Sequence, residues 1–148
     1  MRGISFKTKE SYGNILCGIL FGIDANKFCW YISEDEIYDE KDKPIFEKGY
    51  VDGATFLRKI QEKSYMVMFA NIKAYPSGCK PIDVKNYDEF VKSKCELVIL
   101  CSDLYYYEIY AKDTLMIETI KNNAIKNGMY DIEYITKEND GRTVFSVL

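Results

Sequence analysis

Leu97-Val98-Ile99-Leu100-Cys101 is an unbroken apolar run, and Tyr65-Met66-Val67-Met68-Phe69-Ala70 is a second. Neither alternates polar with apolar residues, which is the pattern of strands covered on both faces or lying deep in a sheet. Working outward from them, residues 105–111 and 131–136 also read as strands. Between the strands, Asn86 starts a short helix carrying Tyr87, Phe90 and Val91. A longer helix has Asp113 as its N-cap, Ile117, Ile120 and Ala124 as its buried stripe, and Gly128 just past its end. From Tyr65 to Thr136 the order is therefore β-α-β-β-α-β, the ferredoxin-like order, which implies an antiparallel sheet with helices mainly on one face.

The first half of the chain repeats the β-α-β-β-α part of this order without repeating residue identities. Strands are expected at 2–6, 28–33 and 36–39, with a helix at 11–20 and another that starts at Asp52 and presents Phe56, Leu57 and Ile60. A closing hairpin is expected to join 131–136 to 143–148, because Asp140-Gly141 supplies the residue with positive φ that a tight turn needs. The fold class is α+β, with a mixed, largely antiparallel sheet. The 148 residues fit one domain, and no Pro/Gly/Ser-rich linker divides them.

Composition narrows the function. The chain has 13 tyrosines and no histidine, so the side chain that titrates near neutrality and most often ligates metals is missing. A Ser or Cys triad then has no base, and no catalytic residue, metal site or cofactor is expected. The phosphate-binding signatures G-x-x-x-x-G-K-[ST] and G-x-G-x-x-G are absent, and an EF-hand starting at Asp35 fails because Glu40 occupies the position that must be glycine. A net charge of −3 offers no basic face for nucleic acid.

The five cysteines are an odd set with no C-x-x-C pair, which fits free thiols in a reducing cytoplasm better than zinc or disulfides. The apolar run 15–23 has the length of a signal-peptide core. The strand-like 2–6, the acidic Glu10 and the poor cleavage site Ile23-Asp24-Ala25 argue against that reading, and the run is far short of the ~20 residues that span a bilayer. No membrane partner is expected, and the sequence fixes no oligomeric state.

Three candidate sites remain. Residues 33–52 hold eight carboxylates against three lysines. Glu34, Asp35, Glu36, Asp39, Glu40 and Asp42 are read as an acidic lobe for a basic protein partner, with a solvated charged loop as the plainer alternative. In Tyr105-Tyr106-Tyr107-Glu108-Ile109-Tyr110, strand alternation puts Tyr106, Glu108 and Tyr110 on one face. A carboxylate between two rings suits a small cationic or amphipathic ligand, the plainer alternative being a half-solvated sheet face. Cys79, between Gly78 and Lys80 in an expected exposed loop, is either a weakly activated thiol or an ordinary loop cysteine.

Arg2-Gly3-Ile4-Ser5-Phe6, Trp30-Tyr31-Ile32, Ala74-Tyr75-Pro76, Tyr134-Ile135-Thr136 and Glu138-Asn139-Asp140-Gly141-Arg142-Thr143 together carry a resemblance. The chain resembles, nearly end to end, a family of small uncharacterised proteins of Bacillus and relatives, domain of unknown function 2691. The resemblance implies a single cytoplasmic domain and brings no catalytic residue, cofactor or partner with it.

Overall fold

In the computed structural model of the chain, which describes residues 1–9, 11–62 and 64–147, the run quoted first lies in the central strand of seven. In chain order the elements are β1 (Gly3–Lys7), α1 (Ile15–Ile19), β2 (Phe28–Asp39), β3 (Gly49–Asp52), α2 (Gly53–Glu62), β4 (Tyr65–Pro76), α3 (Tyr87–Lys92), β5 (Leu97–Ser102), β6 (Tyr106–Ala111), α4 (Thr114–Lys126) and β7 (Tyr130–Ile135), with a short 3-10 turn at Ala25–Lys27. The sheet order is β3-β2-β4-β5-β6-β1-β7, and every pairing in it is antiparallel.

Local chemistry sets the helix starts. Asp113 accepts from the Leu115 amide at 2.8 Å, Asn86 from the Glu89 amide at 2.9 Å, and Asp52 from both the amide and the hydroxyl of Thr55 at 2.8 Å. Each satisfies a backbone donor that the first turn leaves free. Gly128, at φ +73°, closes α4 by donating to the Ile125 carbonyl.

Three expectations are corrected by long-range pairing. The first helix begins at Ile15 because Gly13 exchanges both backbone hydrogen bonds with Tyr65 at the start of β4. The strands expected at 28–33 and 36–39 are one strand, carried through by β4 with register shifts at Ile32/Glu34 and Glu36/Ile37. The segment expected to be the last strand, 143–148, is irregular over 143–147; Leu148 lies outside the described residues. It does not pair with β7, because Phe145 is drawn across the sheet into the cluster of Phe90 and Tyr110. The block from β4 to β7 keeps its order along the chain, while in space β4, β5 and β6 are successive neighbours and β1 sits between β6 and β7.

Of the four α-helices among the described residues, three lie on one face. Leu16 and Ile19 of α1, Phe56 and Ile60 of α2, and Ile117, Ile120 and Ala124 of α4 bury against Phe6, Trp30, Ile72 and Ile99. Each large apolar side chain so buried contributes about 1.5–3 kcal/mol. The Trp30 and Phe56 rings stack at 3.9 Å. Tyr65 ties two helices to the sheet, accepting from the Leu16 amide at 3.1 Å and donating to the Ile60 carbonyl at 3.0 Å. The other face is covered in part, by α3, Val84 and Phe145 over Tyr75, Val98 and Tyr110. Among the described residues no helix is long and apolar enough to cross a membrane.

Candidate functional site

The second face of the sheet carries the chemistry. Alternation along β6 sends Tyr107 and Ile109 into the helix-covered core and Tyr106, Glu108 and Tyr110 to the other side. The structure thus brings these three candidates to one face, and it seats a cation between them, from the chain itself. Arg142 Nε and Nη2 lie 2.9 and 2.6 Å from Glu108 Oε1. Arg142 Nη1 donates to the Val144 and Ser146 carbonyls at 3.2 and 2.8 Å.

Tyr110 is buried and donates to Asp140 Oδ1 at 3.0 Å. Its hydroxyl is held far above the ordinary phenol pKa, by burial first and then by the negative charges of Glu108 and Asp140. Arg2 completes the arrangement, reaching Asp140 Oδ2 at 3.0 Å with its guanidinium 4.0 Å from the Tyr87 ring centre. Only Tyr106 of the three faces open space. Burial, then the charge of Glu108, raises its phenol pKa.

That open space is a groove of about 430 Å³ at one end of β1, β6 and β7. Buried Ser5 and half-buried Tyr106 are its floor; Lys7, Asp103, Asp131 and Glu133 stand around it. Lys7 Nζ is 3.2 Å from Asp131 Oδ2, and this contact raises the lysine pKa. Among the described residues Asp103 and Glu133 have neither an ion pair nor a side-chain hydrogen bond. The backbone here is unusual. Asp103, Leu104 and Asp131 have φ of 54°, 74° and 52°, and Asp42 is the fourth non-glycine residue in this left-handed region among the described residues. Asp tolerates the conformation; a leucine there is an outlier of the sort that clusters at functional sites. The sequence reading missed this groove, whose available signal was the short Ser102–Tyr105 turn between two strong strands.

The acidic stretch is placed differently from a free lobe. Glu34 accepts from Asn71 Nδ2 at 2.8 Å and from the Val147 amide at 3.4 Å, so it secures the C-terminal segment. Asp39 accepts from the Lys41 and Lys43 amides at 2.8 and 3.0 Å and shapes the turn after β2. Glu40 accepts from Ser64 Oγ at 3.3 Å. Asp35 is half-buried, and burial raises its pKa against the opposing pull of Lys48. Glu36 also lies on β2, and Asp42 is exposed in the turn. Because β3 pairs only with Cys29–Ile32, residues 33–36 of β2 form an open edge among the described residues, and Glu34, Asp35 and Glu36 make it repel acidic segments and accept only basic ones.

Cys79 is half-buried against the second-face cluster instead of lying free in a loop. The partner of Glu108 was hidden from sequence inspection because Arg142 lies 34 residues away and follows no strand or helix period.

The family model described as "Protein of unknown function (DUF2691)" matches residues 1–146. The chain is similar to "Uncharacterized protein YncE" of Bacillus subtilis (strain 168), 35% identical over 153 residues that cover 99% of each chain. No solved structure matches it.

Proposed function

Since the chain belongs to the DUF2691 family, whose description names no activity, we propose a function from the site alone: a non-catalytic binding domain that takes a small organic cation in the groove over Tyr106. One observation carries this reading. Asp103 and Glu133 face a 430 Å³ concavity with an aromatic floor, and among the described residues neither is paired with a cation, Lys7 of the same groove being held by Asp131. An ammonium group there gains charge pairing and attraction to the ring face, while its alkyl chain covers the Tyr105 and Tyr106 rings. The Glu108 position of the same face, filled by Arg142, is an internal precedent for the chemistry. The same proposal places the domain in a reducing cytoplasm, on its five unpaired cysteines.

Calorimetric titration with spermidine at fixed ionic strength tests it. Saturable binding that is lost in Glu133→Gln and weakened in Asp103→Asn is expected. No saturable heat, or equal heats from wild type and Glu133→Gln, ends the proposal.

A second reading keeps the acidic stretch as a contact for a basic protein. The open edge at 33–36 favours it, since that edge offers unpaired backbone groups beside Asp35 and Glu36. A lysine-rich extended peptide should then bind in a salt-dependent way, and the reversal Asp35→Lys with Asp42→Lys should abolish the binding. A peptide that binds both proteins equally removes this reading.

A further inference from the structure

We propose that a cleft between the end of β4 and the end of α3 is a binding site for a phosphate monoester with a small organic body. The cleft holds about 500 Å³, within the range of small-molecule sites. Lys80, Lys92 and Lys94 line it together with Tyr75, Cys79 and Ile82. The lysines come from three places: the turn after β4, the last residue of α3, and the connection from α3 to β5.

That convergence is built into the backbone. Gly78 at φ +86° reverses the chain so that the Cys79 amide donates to the Pro76 carbonyl at 3.1 Å, which carries Lys80 back toward α3. Ser93 Oγ donates to the Phe90 carbonyl at 2.8 Å and accepts from the Cys95 amide at 3.0 Å, which fixes the connection bearing Lys94. Behind them Tyr75 is 2% exposed and donates its hydroxyl to the Ile82 carbonyl.

Charge separates this cleft from the rest of the second face. Elsewhere on that face four cations are neutralised within the chain, Arg2 by Asp140 at 3.0 Å, Lys73 and Lys85 by Asp83 at 2.7 Å and Arg142 by Glu108 at 2.6 Å, while Lys112 lies over the Phe90 ring and donates to the Ser93 carbonyl at the edge of the cleft. Lys80, Lys92 and Lys94 have no hydrogen bond or ion pair among the described residues, and no carboxylate lines the cleft. Three unpaired ammonium groups in a protein of net charge −3 are a local field of the opposite sign.

The donor type sets the ligand class. Lysine is a compact charge with rotatable donors and lacks the flat fork of arginine that matches a carboxylate in two places, so a tetrahedral dianion is the better fit. Tyr75 and the 74%-exposed Ile82 give the organic part an apolar wall.

Phenyl phosphate is the probe. Calorimetry on the intact chain should show saturable binding, and peptide-resolved alkylation should show Cys79 reacting more slowly with iodoacetamide when the probe is present. The double variant Lys80→Gln/Lys94→Gln alters two exposed residues outside helices and strands and should weaken binding about a hundredfold, roughly tenfold for each charge-assisted contact removed. Glu133→Gln, in the groove over Tyr106, should leave it unchanged, which keeps this result separate from the cation proposal. Absence of saturable binding, a double variant that binds as wild type does, or phenol binding as well as phenyl phosphate would overturn the inference.

Discussion

Arg142 and Glu108 meet through two nitrogens and one carboxylate oxygen, at 2.9 and 2.6 Å, and the same guanidinium holds the carbonyls of Val144 and Ser146. A single side chain thereby joins the fifth strand of the sheet order to a segment with no regular structure of its own. Phe145, two residues before Val147, is fixed beside it by the Lys85 carbonyl and by Asn71, whose Nδ2 donates to the Phe145 carbonyl at 2.7 Å. The segment is bound to the sheet much as an extended ligand would be.

This pairing should dominate the stability of the second face. The two side chains are 16% and 13% exposed, so removing the guanidinium leaves a mostly buried carboxylate and two carbonyls unserved. Arg142→Met is expected to cost about 3 kcal/mol in urea unfolding. Arg142→Lys should recover only part of that, because one ammonium cannot reach all three acceptors. Glu108→Gln added to Arg142→Met should cost less than the two changes summed. A loss below about 1 kcal/mol for Arg142→Met would mean that the pair behaves as an exposed surface bridge.

What the sequence reveals here follows the range of the interactions involved. Asp52, Asn86 and Asp113 act within three residues, so their helices are legible from local patterns. Strand alternation puts Tyr106, Glu108 and Tyr110 on one face for the same local reason. Contacts between distant residues are not written locally. The Gly13–Tyr65 bridge shortens the first helix, and the contact of Glu34 with Val147 helps lay the last segment over the sheet. The density of carboxylates from Glu34 to Asp42 suggests a lobe, yet Glu34, Asp39 and Glu40 are drawn into separate hydrogen bonds.

Insertion of β1 between β6 and β7 makes Gly3 indispensable. A Cβ on Gly3 would lie 1.9 Å from the Ile109 carbonyl oxygen and 2.9 Å from its carbon. Both are backbone atoms of a paired strand and cannot yield. Gly3→Ala should destabilise by about 3 kcal/mol or more, whereas Gly13→Ala, whose Cβ meets nothing within 4 Å, should stay within about 1 kcal/mol. Paired thermal unfolding curves decide this, and equal midpoints for the two variants would refute the packing argument.

Burial should silence two of the five thiols. It pushes Cys95 up to about 11 and Cys101 up to about 12, so almost no thiolate exists near neutral pH. Alkylation of the folded protein should spare both and reach the half-buried Cys17, Cys29 and Cys79. In urea all five should react. Labelling of Cys101 in the native protein at the rate of Cys79 would contradict the buried placement.

Asp83 stands between two lysines, with Lys73 Nζ and Lys85 Nζ each at 2.7 Å from one of its oxygens. Burial alone would push its carboxyl pKa up, but the hydrogen bonds and charges of the two lysines together outweigh that and hold it below 3.8. The native state then binds fewer protons than the unfolded chain, so the stability Asp83 supplies is present above the ordinary carboxyl range and is lost as pH falls through the depressed value. Lys73 is 1% exposed, and burial lowers its pKa below 10.5 despite the opposing pull of Asp83. Folding therefore becomes easier for Lys73 as pH rises from its lowered value toward 10.5. Asp83→Asn leaves the buried ammonium without its carboxylate and should cost about 3 kcal/mol at neutral pH. That cost should shrink as pH falls from 3.8 through the depressed native value, where the wild-type carboxyl gains its proton, and shrink again in alkali, where Lys73 sheds its own. Urea unfolding of both proteins across the pH range measures the difference directly; a cost that stays flat from acid to alkali would mean that neither charge matters to the fold.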